Sequence, residues 1–263
     1  MKRLDRFIIS YNGNKYRETK KHLAKYYDDI KKCKVVAEPF CGIFGFSRAL
    51  CETGYDGEIW LNDINKELID LLTKLKNDPK KFIKDVRAEY EKNKKDADIK
   101  AKYSAKQYSK EFTLVFRGMA ERFYDEPLGL TKLKNFEEKI EEYTEFFKKV
   151  KLFNMSCDDF LKVVPKDAFI FFDPPYFNSS NTEYQNITKD DEYSDGTTLY
   201  LNVYKALEDG RKCILIVNKI DILDYVLKKY KLEEIKGSYS NTICVKGKVK
   251  KNIKWHIVYG KLQ

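Results

Sequence analysis

The sequence predicts an α/β protein: a mostly parallel sheet with helices on both faces, interrupted by a long helical insertion. Three observations predict it. Short, continuous apolar runs alternate with segments of helical periodicity. Two of those runs end in loops suited to chemistry, one rich in glycine and one reading Asp-Pro-Pro-Tyr. From Lys76 onward the apolar runs stop, and a Lys/Glu-rich style replaces them until the next run opens near residue 151.

The elements follow in order. Val35–Phe40 is short and apolar and runs into Gly42 and Gly45, as a buried strand entering a tight turn does. Ser47–Leu50 starts a helix. Glu58–Asp63 is a second strand with an acidic end. Lys66–Leu75 is helical, with Leu68, Leu71, Leu72 and Leu75 on one face. Lys76–Tyr143 is read as helical with one irregular loop, broken by Gly118, Pro127 and Gly129. Strand signals return at Lys151–Met155 and at Ala168–Phe172. Thr197–Leu207 is helical, Arg211–Asn218 a buried strand and Ile222–Tyr230 a short helix. Ser238–Val245 and Trp255–Tyr259 alternate like an antiparallel pair. This divides the chain into a body of residues 1–75 and 151–263 and an inserted domain of residues 76–150.

Composition excludes several classes. The 263 residues include 17 Phe and 19 Tyr, too many aromatics for a disordered chain. Every apolar run is far shorter than the roughly 20 residues of a membrane helix, and the Met1–Ser10 stretch has no apolar signal region, so an intracellular protein without membrane association is expected. The six cysteines (33, 41, 51, 157, 213 and 244) include no C-x-x-C pair, so they are read as reduced and mostly buried, with no metal site.

The net charge of +10 is uneven. Lys74–Lys110 and Lys228–Lys254 each carry +7, which leaves −4 for the rest. Two basic segments on a mildly acidic body suit a polyanion-binding face. A merely solvated, lysine-rich surface is the competing reading.

Asp173-Pro174-Pro175-Tyr176, following Phe-Ile-Phe-Phe, is the sharpest chemical feature. Consecutive prolines fix the backbone, so the Asp173 carboxylate and the Pro174 carbonyl are held in set directions. Two such acceptors suit an exocyclic amine whose lone pair is delocalised into a ring. Tyr176 offers a face on which a flipped base stacks. The turn Phe40–Gly45, with Asp63 about 20 residues later, suits a nucleotide-like ligand: glycine permits close approach and the acid holds ribose hydroxyls. Both Gly42 and Asp173 follow apolar strands directly, so they should share the carboxyl edge of the sheet, where ligands bind in such folds.

Together these residues resemble the amino-methyltransferases that use S-adenosylmethionine (AdoMet), and most closely the Dam-type DNA adenine methyltransferases of the alpha group. Ser10-Tyr11-Asn12-Gly13-Asn14-Lys15 resembles their N-terminal aromatic-x-G-x-K element, Glu38–Ser47 their cofactor loop, and Asp173–Tyr176 their D-P-P-Y motif. The order of the blocks puts the target-recognition domain of that group between them, where the basic insertion falls. The resemblance implies a class I, Rossmann-like methyltransferase sheet of seven strands, mostly parallel with an antiparallel C-terminal strand. It implies AdoMet as cofactor, S-adenosylhomocysteine as product, duplex DNA as partner, a monomer or weak dimer, and a prokaryotic or phage-encoded source, solitary or paired with a restriction nuclease. Carried over, Tyr11, Lys15, Phe40, Gly42, Asp63, Asp158 and Asp173 contact the cofactor, and Asp173, Pro174 and Tyr176 serve catalysis. Arg117 and Arg122 are candidate DNA contacts.

Three departures from the family pattern stand out. Ile43 occupies the second position of the glycine turn, which favours negative φ. Glu38 replaces the more usual Asp. The Phe116–Gly129 stretch matches the family's recognition segment only loosely. Cytosine N4, adenine in RNA, and a DNA-binding protein that has lost catalysis remain alternatives. Asp63 and Asp158 could equally be helix caps.

Overall fold

The computed structural model describes residues 3–5, 7–9, 14–93, 126–175, 196–218, 221–240 and 250–259. They form one seven-stranded sheet in the order β3-β2-β1-β4-β5-β7-β6. The strands are β1 (Val35–Glu38), β2 (Glu58–Asn62), β3 (Val150–Phe153), β4 (Phe169–Phe172), β5 (Lys212–Asn218), β6 (Lys231–Ser240) and β7 (Lys250–Tyr259). The first five pair in parallel, and β7 alone runs against its neighbours β5 and β6. Among the described residues no helix is long and apolar enough to cross a membrane.

Strands β1 and β4 are central, and all of their residues are buried, which is why they read as unbroken apolar runs. Val36 pairs with Phe169 and Ala37 with Ile170. The chain leaves β1 toward β2 and β3 on one side, and resumes with β4 and β5 on the other. The strand order therefore reverses between β1 and β4, and a crevice opens beyond their carboxyl ends.

Alternation along the strands divides the core. Val36, Ile59, Leu61, Phe169, Phe171, Ile214 and Ile216 face one layer of helices. Val35, Ala37, Ile170, Phe172, Cys213, Leu215 and Val217 face the other. The first layer holds α1 (Tyr16–His22), a 3-10 turn at Ala24–Tyr26, α2 (Tyr27–Ile30), α3 (Gly45–Cys51), α4 (Lys66–Asn77), α5 (Pro79–Asn93), α6 (Glu126–Glu137) and α7 (Ile140–Lys148). The second holds α8 (Cys157–Val163), α9 (Gly196–Glu208) and α10 (Asp221–Leu227).

Local chemistry sets the helix ends. Asn65 caps α4 by accepting from the Leu68 N–H at 3.2 Å, and its four spaced leucines are buried. Ser156 caps α8 by accepting from the Asp159 N–H at 3.0 Å. Neither Asp63 nor Asp158 is the cap residue.

The structure departs from the sequence expectation in two places. Helices α1, α2 and α8 are additions to the expected elements; at seven, four and seven residues they are too short to carry a periodic signal. Strand β6 begins at Lys231, ahead of the expected Ser238, since its charged first half is recruited by pairing with Tyr259–Trp255. Within residues 76–150, α5, α6 and α7 bury Phe82, Ile83, Val86, Leu133, Phe136, Tyr143, Phe146 and Phe147 in the same core as β1 and β4. Those helices pack as part of the body. Cys33, Cys41, Cys51, Cys157 and Cys213 are free and buried; Cys244 lies outside the described residues.

Candidate active site

The turn after β1 begins with Glu38 and ends at Gly45. Gly42 has φ +47° and Phe44 has φ +43°, the one non-glycine in the left-handed region among the described residues. Ile43 thus keeps the negative φ that a β-branched residue prefers, and its neighbours take the left-handed positions. For Phe44 this costs about 1–2 kcal/mol. Burial of its ring compensates: it is fully enclosed, stacked on Phe146 at 5.3 Å and edge-on to Phe7 at 4.8 Å. The Phe44 N–H donates to the Cys41 carbonyl, and the Cys41 N–H to the Asn62 carbonyl at 2.8 Å, which ties the turn to the end of β2.

Gly45 is required for a different reason. A Cβ there would lie 2.5 Å from Asn14 Oδ1, 2.6 Å from the Tyr16 nitrogen and 3.0 Å from the Lys15 nitrogen. The backbone around Lys15 therefore rests directly on the first turn of α3.

Three carboxylates converge on the crevice. Glu38 is 2% exposed and accepts from the Ser47 N–H at 2.9 Å and from the Ser47 hydroxyl. Burial pushes its carboxyl up to about 8, despite the Ser47 hydrogen bonds, and Asp173 adds to the rise. Asp63 accepts from the Gly42 N–H and from the Asn65 N–H, both at 3.0 Å. Burial raises it to about 6 against those two hydrogen bonds. Asp173 follows β4 directly, and its Oδ2 lies 3.0 Å from Lys15 Nζ, with side chains 15% and 4% exposed. Burial raises Asp173 above the usual carboxylate range, while the Lys15 charge and hydrogen bond oppose the rise.

Pro174 is buried, and the Pro175 carbonyl accepts from the Tyr200 hydroxyl at 3.2 Å, which anchors the loop to α9. Asn62 joins the remaining walls: its Nδ2 donates to the Pro39 and Met155 carbonyls, each at 3.0 Å, and its Oδ1 accepts from the Met155 N–H at 3.1 Å.

Of the residues singled out in the sequence, Lys15, Gly42, Asp63, Asp173 and Pro174 gather around this edge. Phe40 sits half-buried in the same turn, packed against the second core layer. Asp158 lies on the first turn of α8, half exposed, in an ion pair with Lys162 at 2.6 Å. Tyr11, Arg117, Arg122 and Tyr176 lie outside the described residues. Sequence reasoning missed Asn62 and Arg48. The first is one of many Asn residues, and the second is fully buried where a surface arginine would be assumed.

The described parts of the two basic segments lie apart. Asn218, the last residue of β5, pairs with Trp255, and β6 and β7 continue past it by five rungs, from Lys236–Lys254 to Ser240–Lys250. This arm extends beyond the edge that bears Asp173. It contains Lys236, Lys250, Lys251 and Lys254 and no acidic residue. The other segment starts at the opposite edge, where Lys76 Nζ donates to the Val150 carbonyl at the beginning of β3 at 2.7 Å.

Comparison with known proteins bears on this geometry. No curated protein matches the chain. Among solved structures, the C-terminal domain of precorrin-6Y C5,15-methyltransferase from Rhodobacter capsulatus is similar at 7% identity, covering 95% of this chain and 92% of that one, with a TM-score of 0.43. An rRNA methylase from Streptococcus thermophilus is similar at 10% identity, covering 90% and 96%, with a TM-score of 0.38. Similarity at that level says nothing of substrate. A family model is more informative: the D12 class N6 adenine-specific DNA methyltransferase model matches residues 11–126 and 117–241. That span contains the glycine turn, Asp63 and the Asp-Pro-Pro-Tyr loop on a Rossmann-like sheet, and the chain belongs to the D12 class N6 adenine-specific DNA methyltransferase family, whose methyl donor is AdoMet.

Proposed function

We propose that this protein transfers the methyl group of AdoMet to the N6 amine of adenine in duplex DNA. The observation that carries the reading is the position of Asp173: 15% exposed, beside Lys15, at the crevice between β1 and β4, and leading into two prolines.

The residues present suit AdoMet. Its ribose diol needs a fixed acceptor, and the Asp63 carboxylate is held by two backbone N–H groups with lone pairs to spare. Its cationic end suits a crevice that holds the Asp173 carboxylate, and its own carboxylate suits Lys15. Gly42, without a side chain, permits close approach. When bound, AdoMet supplies an activated methyl group that needs no metal and no covalent enzyme intermediate.

The protein's own task is the amine. Adenine N6 is a poor nucleophile because its lone pair is delocalised. An ionised Asp173 and the Pro174 carbonyl each accept one N–H, which favours a tetrahedral nitrogen with its lone pair free. Holding the amine there in a water-poor crevice replaces an encounter in solution with a fixed approach. Tyr176 stacks on the base once it has left the duplex. The lysines of the β6–β7 arm suit the phosphate backbone.

The test is incubation with adenine-containing duplexes and methyl-labelled AdoMet, followed by digestion to nucleosides. Label in N6-methyl-2′-deoxyadenosine that is lost in Asp173→Ala supports the proposal. Label on cytosine N4, or transfer to RNA alone, overturns the substrate. Equal transfer by wild type and Asp173→Ala overturns the site.

A further inference from the structure

The chain before α1 carries Lys15 to Asp173, and its placement depends on a buried arginine. Arg48, on α3, is fully enclosed. Its Nε donates to the Ile43 carbonyl at 3.2 Å, its Nη1 to the Leu4 carbonyl at 2.9 Å and to the Tyr143 hydroxyl at 3.3 Å, and its Nη2 to Asn14 Oδ1 at 3.1 Å. The guanidinium also lies over the Phe7, Tyr16 and Phe44 rings, at 5.1, 5.2 and 5.7 Å.

Two of these partners matter for the site. The Ile43 carbonyl belongs to the glycine turn, between the two left-handed residues. Asn14 precedes Lys15, and its Oδ1 also accepts from the Tyr16 N–H at 3.1 Å, so the acceptor bonded to Arg48 brackets Lys15. One planar, rigid donor fork thus holds the cofactor turn and the Lys15 backbone in a fixed relation. A buried cation is expensive to desolvate, and an apolar side chain of similar volume often serves stability as well or better. Filling space does not account for an arginine here.

We propose that Arg48 is a positioning residue: it sets Lys15 beside Asp173 only while the Gly42–Phe44 turn has its ligand-ready shape. Cofactor affinity and the Lys15–Asp173 pair are then linked through it. This rests on the methyl-transfer reading of the site.

The experiment compares the full chain with Arg48→Met, Arg48→Lys, Lys15→Met and the double variant. Leu72→Ala, a buried substitution on α4, serves as a stability-matched control. S-adenosylhomocysteine binding is measured by calorimetry, and transfer is followed well below every melting temperature. Arg48→Met should weaken binding at least tenfold beyond the control. Arg48→Lys should not rescue it, because an ammonium cannot span these acceptors. Lys15→Met should add little in the Arg48→Met background, a non-additivity expected only of coupled residues. Should Arg48→Met fail to fold, Asn14→Ala removes the Arg48 contact on the Lys15 side, together with the Tyr16 N–H contact, leaves the Ile43 contact in place and carries the same expectation for binding. Binding and transfer like those of Leu72→Ala, or full additivity with Lys15→Met, would overturn the proposal while leaving the methyl-transfer reading intact. A wild-type chain that neither binds the cofactor product nor transfers a methyl group overturns both.

Discussion

Lys15 Nζ stands 3.0 Å from Asp173 Oδ2, and the two residues are far apart along the polypeptide. The Lys15 charge opposes the burial that would otherwise neutralise Asp173. Removing the cation therefore raises the Asp173 pKa. If ionised Asp173 is the reactive form, Lys15→Met should move the acid limb of the pH–rate profile upward. Asp173→Ala should cost on the order of 100-fold or more at every pH. An unmoved acid limb in Lys15→Met would sink this assignment.

Glu38 gives stability a pH dependence of definite sign. Its carboxyl goes from the ordinary 4.5 in the unfolded chain to about 8 when buried, so the folded state holds its proton longer. The stability this contributes is present below about 4.5 and is lost as pH rises toward 8. Asp63, at about 6, and Asp173 act in the same direction. Melting temperature should fall between about pH 5 and 8. Glu38→Gln, whose amide oxygen can still accept from Ser47, should flatten much of that slope. A slope as steep in Glu38→Gln as in wild type would refute this account.

Gly45→Ala should harm the site more than its size suggests. The new Cβ meets backbone at Tyr16 and Lys15, which cannot swing away as a side-chain tip could. Overpacking of this kind costs on the order of 1–3 kcal/mol, and thermal denaturation should show it. The displaced Lys15 backbone should also lower transfer in protein that remains folded.

Asp63→Ala removes the acceptor for the Gly42 N–H and the proposed ribose contact together. Calorimetry should show S-adenosylhomocysteine binding weakened by roughly 10–100-fold, the range for hydrogen bonds to a charged group. Affinity within about twofold of wild type would exclude Asp63 from the pocket.

The β6–β7 arm gives a salt-dependent prediction. Replacing Lys236, Lys251 and Lys254 by Ala should weaken duplex binding about equally for all sequences. It should also make the salt dependence shallower, by about one unit of slope for each phosphate that is no longer neutralised. A change confined to one DNA sequence would contradict a backbone role.

The sheet is legible in the sequence because central parallel strands advertise themselves: Phe169–Phe172 and Cys213–Val217 are buried on both faces and apolar throughout. Asp173 and Gly42 are legible for the same reason, each standing where such a run stops. The rest depends on contacts that local sequence does not encode. Arg48 and Asn62 look like surface residues until distant carbonyls close around them. The first half of β6 is too charged to announce a strand, and its pairing with β7 decides the matter. Helices α5 to α7 carry their core residues at helical spacing, with lysines and glutamates on the positions between. The second basic segment reaches the Asp173 edge, as its charge suggests, whereas the first begins on the far edge, a distinction that charge alone does not contain.

Helices α5 and α6 are neighbours, joined by Arg87 Nε and Glu137 Oε1 at 3.1 Å and embedded in one core. Both helices are thus parts of the core that also seats β1 and β4. A substitution that loosens Phe82 or Phe136 is therefore felt at a distance: it disturbs the packing beneath the two central strands, and with it the crevice that opens beyond their ends.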